Sequence, residues 1–400
     1  MKKLHKFFNI LSISLFILLF GIYLYRFLHF KGLDNEDKNY SDVLSERIIE
    51  EEKNFKLLNQ IEIKDNVYYF KKSTKNNYVK YNDMIWRIVK INQDKTTMLI
   101  LDEYVTILPY NFIETWINNK YSKLVNIDNL NLLDEETYKE SGNKDSFINN
   151  KSDFWIKDNK YIDSNGEIKE NDELEHKVRP IVVLDKDTKI IDGNGNIDNP
   201  FIINKSDEIS YIKDIKTSKY IKYNNTIWRI IDIEEDKVKL LNEDTIKDVE
   251  GNKIKHTFAS YSNDIKNYQK NTVISYLNNY YYNNLENKEF LTSGKFYIGK
   301  FLNNDYNTIY ADFMDLKVGL PNIDDPYIYD SVNTFLLTID GSNNINAYSL
   351  ENNKINEMLI TNKTYMRPVI YMKNNIEIKE GKGTYSDPYI LGGIINEEKN

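Results

Sequence analysis

The chain has 400 residues, a net charge of −8 and no cysteine. It therefore has no disulfide framework, no thiolate metal site and no cysteine nucleophile. Five of the 53 basic residues and none of the 61 acidic ones lie in residues 1–33. The remainder is acidic and lacks the basic face that a nucleic-acid partner requires.

The first predicted element is a transmembrane signal-anchor at residues 7–25, behind a cytoplasmic tail of residues 1–6. Phe7 to Tyr25 is free of charge, and at ~1.5 Å per residue such a helix spans ~28 Å, about the hydrocarbon thickness of a bilayer. Lys2, Lys3 and Lys6 precede it and only Arg26 and Lys31 follow closely. That asymmetry places the N-terminus in the cytoplasm and the C-terminal ectodomain outside the cell. A cleaved signal peptide is the alternative, but Gly21 to Leu28 lacks the small-x-small site a peptidase needs. The membrane, reached through residues 7–25, is thus the first expected partner.

Residues 26–60 read as a helical stalk. Leu44, Ile48, Phe55 and Leu58 recur at near-helical spacing, with Ser41 as N-cap. The stripe is expected to pack on the adjacent domain, and pairing with a copy of itself is the alternative.

Beyond the stalk the chain repeats itself. Tyr78 to Ile91 and Tyr220 to Ile233 share Tyr-x-Lys-Tyr-Asn-x-x-Ile-Trp-Arg-Ile-x-x-Ile. Val178-Arg-Pro-Ile-Val-Val-Leu184 returns as Met366-Arg-Pro-Val-Ile-Tyr-Met372, and Gly193-Asn-Gly195 to Pro200 as Gly381-Lys-Gly383 to Pro388. Three blocks in the same order predict one module present twice, a reduced copy at residues 61–205 and a full one at 206–391. Residues 392–400 read as a frayed tail.

Each module is expected to open on a three-stranded meander. Lys219–Tyr223 and Thr226–Ile233 flank Asn224-Asn225, and Asn82-Asp83 holds that place in the first copy, residues that tolerate the positive φ of a tight hairpin. Val238–Leu241 is the third strand. Alternation puts Trp228 and Ile230 on one face and Ile227, Ile231 and Ile233 on the other, a strand buried on both sides. A helix follows, with Val273, Leu277, Tyr281 and Leu285 in its stripe and Asn271-Thr272 as cap. Thr115 to Tyr121 is its counterpart in the first copy. Phe335–Thr338, Tyr365–Met372 and Pro388–Leu391 read as closing strands. The predicted fold class is α+β: an N-terminal transmembrane helix, then two tandem β-rich modules, each a meander plus a helix and closing strands.

Tyr-x-Lys-Tyr-Asn-x-x-Ile-Trp-Arg-Ile, Phe296-Tyr-Ile-Gly299, Val318-Gly-Leu320, Tyr365 to Tyr371 and Gly381 to Tyr389 together resemble a domain of unknown function repeated in exported proteins of low-GC Gram-positive bacteria. The resemblance covers most of residues 78–391, and is strongest in the second copy. It implies a membrane-anchored or secreted protein and carries no catalytic residue across. A weaker likeness, through Phe335–Thr338 and the Arg367-Pro-Val-Ile strand, reaches the C-type-lectin and formylglycine-generating-enzyme fold. That enzyme depends on cysteines, so its activity is not implied here.

Other motifs favour bland readings. Asp192-Gly-Asn-Gly-Asn-Ile-Asp198 spaces oxygen ligands as calcium loops do, but Ile197 and Ile203 stand where glycine and a bidentate acid are needed. A hairpin turn is the better reading. Neither Gly-x-Gly leads into a helix N-terminus, so neither cradles a phosphate. His5, His29, His176 and His256 share no zinc spacing. Arg87 and Arg229 are read as core-edge residues snorkelling to solvent, with anion binding as the alternative. Asp324-Asp325 carries little information in so acidic a chain. No cofactor, metal or catalytic constellation emerges.

The leading functional expectation is a single-pass surface protein whose modules bind an extracellular glycan, wall polymer or protein without chemistry of their own. An enzyme acting on cell-wall polymer and a purely structural spacer are the alternatives, and oligomeric state is left open. The candidate contacts are Tyr297, Tyr306, Tyr310, Tyr327 and Tyr329, in the stretch the shorter copy lacks. Tyrosine offers both a rigid apolar face and a hydroxyl, which suits sugar rings and peptide surfaces.

Overall fold

The repeated Trp-Arg-Ile segments become the central strands of two sheets built to one plan. A computed structural model describes residues 40–54, 60–72, 74–203, 209–260, 270–299, 313–329, 332–339, 346–352 and 354–394. The architecture is mixed α+β, strand-rich with few helices, and divided among several sheets. The expected anchor at residues 7–25 lies outside the described residues, as do Phe55 and Leu58 of the predicted stalk stripe. Among the described residues no helix is long and apolar enough to cross a membrane.

The helix Leu44–Lys53 starts at Val43, which offers no side-chain cap, so Ser41 is not the N-cap. Its Leu44, Ile48 and Ile49 are buried in the core. Leu44 N donates to Thr188 O and Ser45 Oγ to Lys186 O, which seats the helix on the first repeat.

The first repeat holds β1 (Ile61–Lys64), β2 (Val67–Phe70), β3 (Tyr78–Tyr81), β4 (Met84–Ile91) and β5 (Thr97–Leu101). A separate five-stranded sheet follows, from β6 (Thr106–Leu108), β7 (Phe154–Ile156), β8 (Lys160–Ile162), β9 (Ile168–Glu170) and β10 (His176–Val178). β11 (Ile181–Leu184) and β12 (Phe201–Ile202) then return to the main sheet, against β5 and β3. The first copy is therefore more than a reduced second copy. Its extra sheet closes a small core of its own, with Val89, Met98, Ile100, Tyr138, Ile148 and Phe154.

The second repeat opens with β13 (Tyr220–Tyr223), β14 (Thr226–Ile233) and β15 (Lys237–Asn242). β16 (Lys255–Thr257), β17 (Leu291–Thr292), β18 (Gly294–Tyr297), β19 (Phe313–Leu316) and β20 (Val318–Gly319) follow. β21 (Thr334–Ile339), β22 (Asn346–Glu351) and β23 (Lys354–Leu359) make a sheet of their own, with a hairpin the hydropathy pattern does not announce. β24 (Lys363–Tyr365), β25 (Val369–Lys373), β26 (Ile376–Glu380) and β27 (Tyr389–Ile394) complete the repeat. The last strand thus runs three residues into the stretch read as a tail.

The two main sheets share a core of five strands. β12-β3-β4-β5-β11 in the first is β27-β13-β14-β15-β25 in the second, including the parallel pairing at the outer strand. Val79 faces Trp86 as Ile221 faces Trp228. The turn residues Asn82, Asp83, Asn224 and Asn225 all adopt positive φ, which asparagine and aspartate tolerate better than most residues. A bulge recurs at the same place, at Val89 between Ile88 and Lys90, and at Ile231 between Ile230 and Asp232. An extra residue reverses the alternation beyond it. Ile233 therefore shares the face of Trp228 and Ile230, contrary to the simple alternation.

The Arg-Pro motif splits the predicted closing strand Tyr365–Met372 in two, and interrupts the chain at the same place in the first repeat. Pro180 and Pro368 have no N–H for a ladder, so β10 ends before one pair and β24 before the other. The predicted helix is also irregular. Asn271 caps it by accepting from Ile274 N, but after Thr272–Ser275 it widens into a π-helical turn, Tyr276–Tyr281. The first repeat widens at the corresponding place, Ile117–Tyr121.

Candidate functional site

The stretch after β20 leaves its own sheet and reaches the first repeat. Asn322 through Ile328 are buried there, which is unusual for a connecting segment and is made possible by its own hydrogen bonds. Asp325 accepts from Asn322 N (2.8 Å), Asn322 accepts from Asp324 N (3.1 Å), and Asn322 Nδ2 donates to Tyr297 O and Gly299 O. Trp116 Nε1 donates to Asp324 O (2.8 Å) and Tyr327 N to Val105 O (2.7 Å), joining the repeats through groups more than 200 residues apart.

Charge is buried at this seam. Asp325, fully buried, accepts from Lys239 Nζ at 2.8 and 2.9 Å and from Lys120 Nζ at 3.1 Å. Burial alone would raise its pKa, but Lys239 and Lys120 outweigh that and hold the carboxyl well below the ordinary range. Lys120 in turn stays charged because Asp324 and Asp325 overcome its own desolvation. A carboxylate clamped between two ammoniums is an anchor and makes a poor proton donor.

Tyr327 is the pivot. It is 4% exposed and takes φ +62°, a conformation a bulky side chain adopts only when its surroundings over-determine it. Its hydroxyl lies 3.0 Å from that of Tyr121, and the Arg229 guanidinium sits 3.3 Å from its ring centroid. Burial pushes the Tyr327 phenol up to about 12 despite that arginine, so it is neutral at physiological pH.

A cleft of about 260 Å³ opens beside this pivot, lined by Glu103, Tyr104, Val105, Thr106, Lys177, Arg229, Tyr327 and Tyr329. Arg229 donates Nε to Ser218 Oγ and Nη2 to Glu103 Oε1, both at 3.1 Å. Burial works against its charge, and Glu103 more than compensates. Lys177 donates to Ser152 Oγ (3.0 Å) and lies 4.8 Å from the Tyr104 ring centroid. Burial lowers the pKa of its ammonium. Thr106 is 1% exposed and its hydroxyl has no hydrogen-bond partner among the described residues. A second cleft of about 400 Å³ runs along the π-turn of the first repeat, between Tyr110, Glu114, Ile117, Asn118, Leu132 and Lys157.

Of the five tyrosines predicted to form a site, Tyr327 and Tyr329 meet at the seam cleft. The Tyr329 hydroxyl lies 3.2 Å from both Ile107 O and Ile323 O, so it too ties the repeats together. Tyr297 is half-buried elsewhere, packed against Phe313 in the β18–β19 hairpin. Tyr306 and Tyr310 lie outside the described residues. Arg229 does not snorkel to solvent, and neither does Arg87. The Arg87 guanidinium is buried between the rings of Tyr78 and Phe147 and bonds Asn77 Oδ1 and Thr74 O. Glu103, Tyr104, Thr106 and Lys177 carry no local signal that would mark them, because the cleft exists only once the repeats meet.

The remaining motifs serve the backbone. Asp192 Oδ1 and Asn196 Oδ1 accept from Gly193 N and Asn199 N, so these oxygens cap a turn. His176 stacks on Tyr161 and bonds Asp172, while His256 lies beside Tyr276 in the other repeat. Among the described residues no group of three or more histidines and acids is placed to hold a metal ion. No family model, curated protein or solved structure matches the chain.

Proposed function

We propose that this chain is a single-pass, membrane-anchored bacterial surface protein whose two repeats bind an extracellular ligand without catalysis. In this reading residues 7–25 cross the membrane, the N-terminus is cytoplasmic, and the modules at 61–205 and 206–391 stand outside the cell. The uncharged run from Phe7 to Tyr25 supports the anchor, and the resemblance of the repeated blocks to an exported domain supports the location.

The observation that carries the binding reading is the seam cleft. Duplicated modules that merely space a surface need no concavity at their junction. Here a backbone-strained tyrosine, an arginine and a lysine border one small cleft, the kind of place where strain and polar groups collect at binding sites. Asp325, clamped between two lysines, offers the enzyme alternative no general acid.

Two measurements test this. Protease added to intact protoplasts should digest everything beyond the anchor, and full protection would exclude the outward topology. The full chain in nanodiscs should retain wall fragments, glycans or host-surface proteins, and Tyr329→Ala should weaken that retention. Steady turnover of a wall polymer by the same preparation would instead establish the enzyme.

A further inference from the structure

We infer that the seam cleft is an oxyanion receptor, taking a small ligand group that bears a carboxylate or a phosphate between Arg229 and Lys177. The inference deepens the binding reading above and rests on it. What carries it is a difference between two arginines that the duplication makes equivalent.

Arg87 and Arg229 hold the same place, each following the central tryptophan and facing the first residue of the preceding strand, Tyr78 or Tyr220. In the first repeat each guanidinium nitrogen has an oxygen partner within 4.0 Å. Nε goes to Asn77 Oδ1 (2.7 Å), Nη2 to Thr74 O (2.7 Å), and Nη1 lies 3.7 Å from Asp102 Oδ1. The second repeat has Lys219 where the first has Asn77, and that ammonium turns away to Asp83 at 2.8 Å. Arg229 falls back on Ser218 and Glu103, and its Nη1 donates to no described residue.

Two other polar groups of the cleft have no carboxylate partner among the described residues. Lys177 has a hydroxyl partner, Ser152, and no carboxylate within 4.0 Å among the described residues. The Thr106 hydroxyl, buried, has no hydrogen-bond partner among the described residues. The lining therefore holds three donor side chains and one carboxylate, Glu103, which is 49% exposed and pairs with Arg229. Buried donors without acceptors are costly, and an incoming oxyanion would supply the acceptor while Glu103 swings aside into solvent. The volume of about 260 Å³ lies below that of a drug-sized pocket. The ligand is accordingly an acidic end group of about one sugar ring, not the body of a polymer.

The test is calorimetric titration of the full chain in detergent micelles with D-glucuronate, glucose 6-phosphate and, as the neutral probe, D-glucose. The two acidic sugars separate carboxylate from phosphate as the preferred source of charge. At least one of them should bind about tenfold or more tightly than glucose, and added salt should weaken it. Lys177→Gln should weaken it about tenfold, whereas Glu103→Gln should strengthen it several-fold by removing the internal competitor. Circular dichroism of both variants confirms that they fold. The oxyanion reading is overturned if glucose binds as well as the acids, if neither substitution changes the affinity, or if none of the probes binds. In that last case, continued retention of surface polymer by the full chain would leave the broader binding reading intact.

Discussion

Arg179 and Arg367, 188 positions apart in sequence, perform the same structural act. Each buries its guanidinium and donates Nε to the carbonyl at the end of the third meander strand, Leu101 O in one repeat and Asn242 O in the other. Each also holds a more distant carbonyl through Nη1, Ile148 O at 2.8 Å and Ile328 O at 3.3 Å, and approaches the acid that follows the strand, Asp102 or Glu243. The repeated Arg-Pro is thus a latch that fastens a loop across the sheet end. Replacing either arginine with Met leaves buried carbonyls without donors, and should cost about 3 kcal/mol or more. Urea unfolding of the two single variants should show similar losses.

Trp86 and Trp228 are fully buried, and each donates Nε1 to the carbonyl five residues back, Tyr81 O at 3.2 Å and Tyr223 O at 3.0 Å. Trp→Ala at either site should cost ~3–5 kcal/mol, because the loss of a large packed side chain adds a cavity to the lost transfer energy. Unfolding midpoints in denaturant measure it. A loss near zero at one tryptophan would mean that the two cores are not equally packed.

Asp325 makes stability depend on acid. Its native pKa is depressed below the unfolded value, so the stabilisation is present above the ordinary carboxylate range, ~4, and is lost as pH falls through the native pKa. Unfolding free energy should therefore drop in acid more steeply than solvent-exposed carboxylates explain. Asp325→Asn should remove that part of the slope. At neutral pH the same change should cost about 3–5 kcal/mol, since Lys120 and Lys239 are left without their shared charge. Chemical denaturation across a pH series reads both effects.

Gly193 and Gly381 open the two Gly-x-Gly turns with φ +92° and +94°. A Cβ there would lie 1.9 Å from Pro200 O and 2.2 Å from Pro388 O. Alanine at either position should destabilise by more than about 1 kcal/mol, combining an unfavourable φ with a backbone clash. Gly251, also at positive φ but with open space around its Cβ, should lose less when changed in the same way. Thermal unfolding of the three variants gives the comparison.

The sequence by itself determined whatever rests on neighbours in the chain. Asn82-Asp83 and Asn224-Asn225 specify their turns because those side chains tolerate positive φ, and each turn fixes the register of its hairpin. The recurrence of Trp-Arg-Ile, Arg-Pro and Gly-x-Gly specified two like sheets, since equal local chemistry folds equally. Only the tertiary structure decided the rest. The bulge at Val89 and Ile231 is a mismatch between two strands, so neither strand announces it. The five-stranded sheet pairs Thr106 with Val178, 72 positions along a chain of weak pattern. The pairing of Asp325 with Lys120 and Lys239, and the meeting of Arg229, Lys177 and Tyr329 at one cleft, depend on where two folded repeats touch. Composition predicts a charged residue to be solvated. These charges are buried because the contact between the repeats supplies the partners that offset their desolvation.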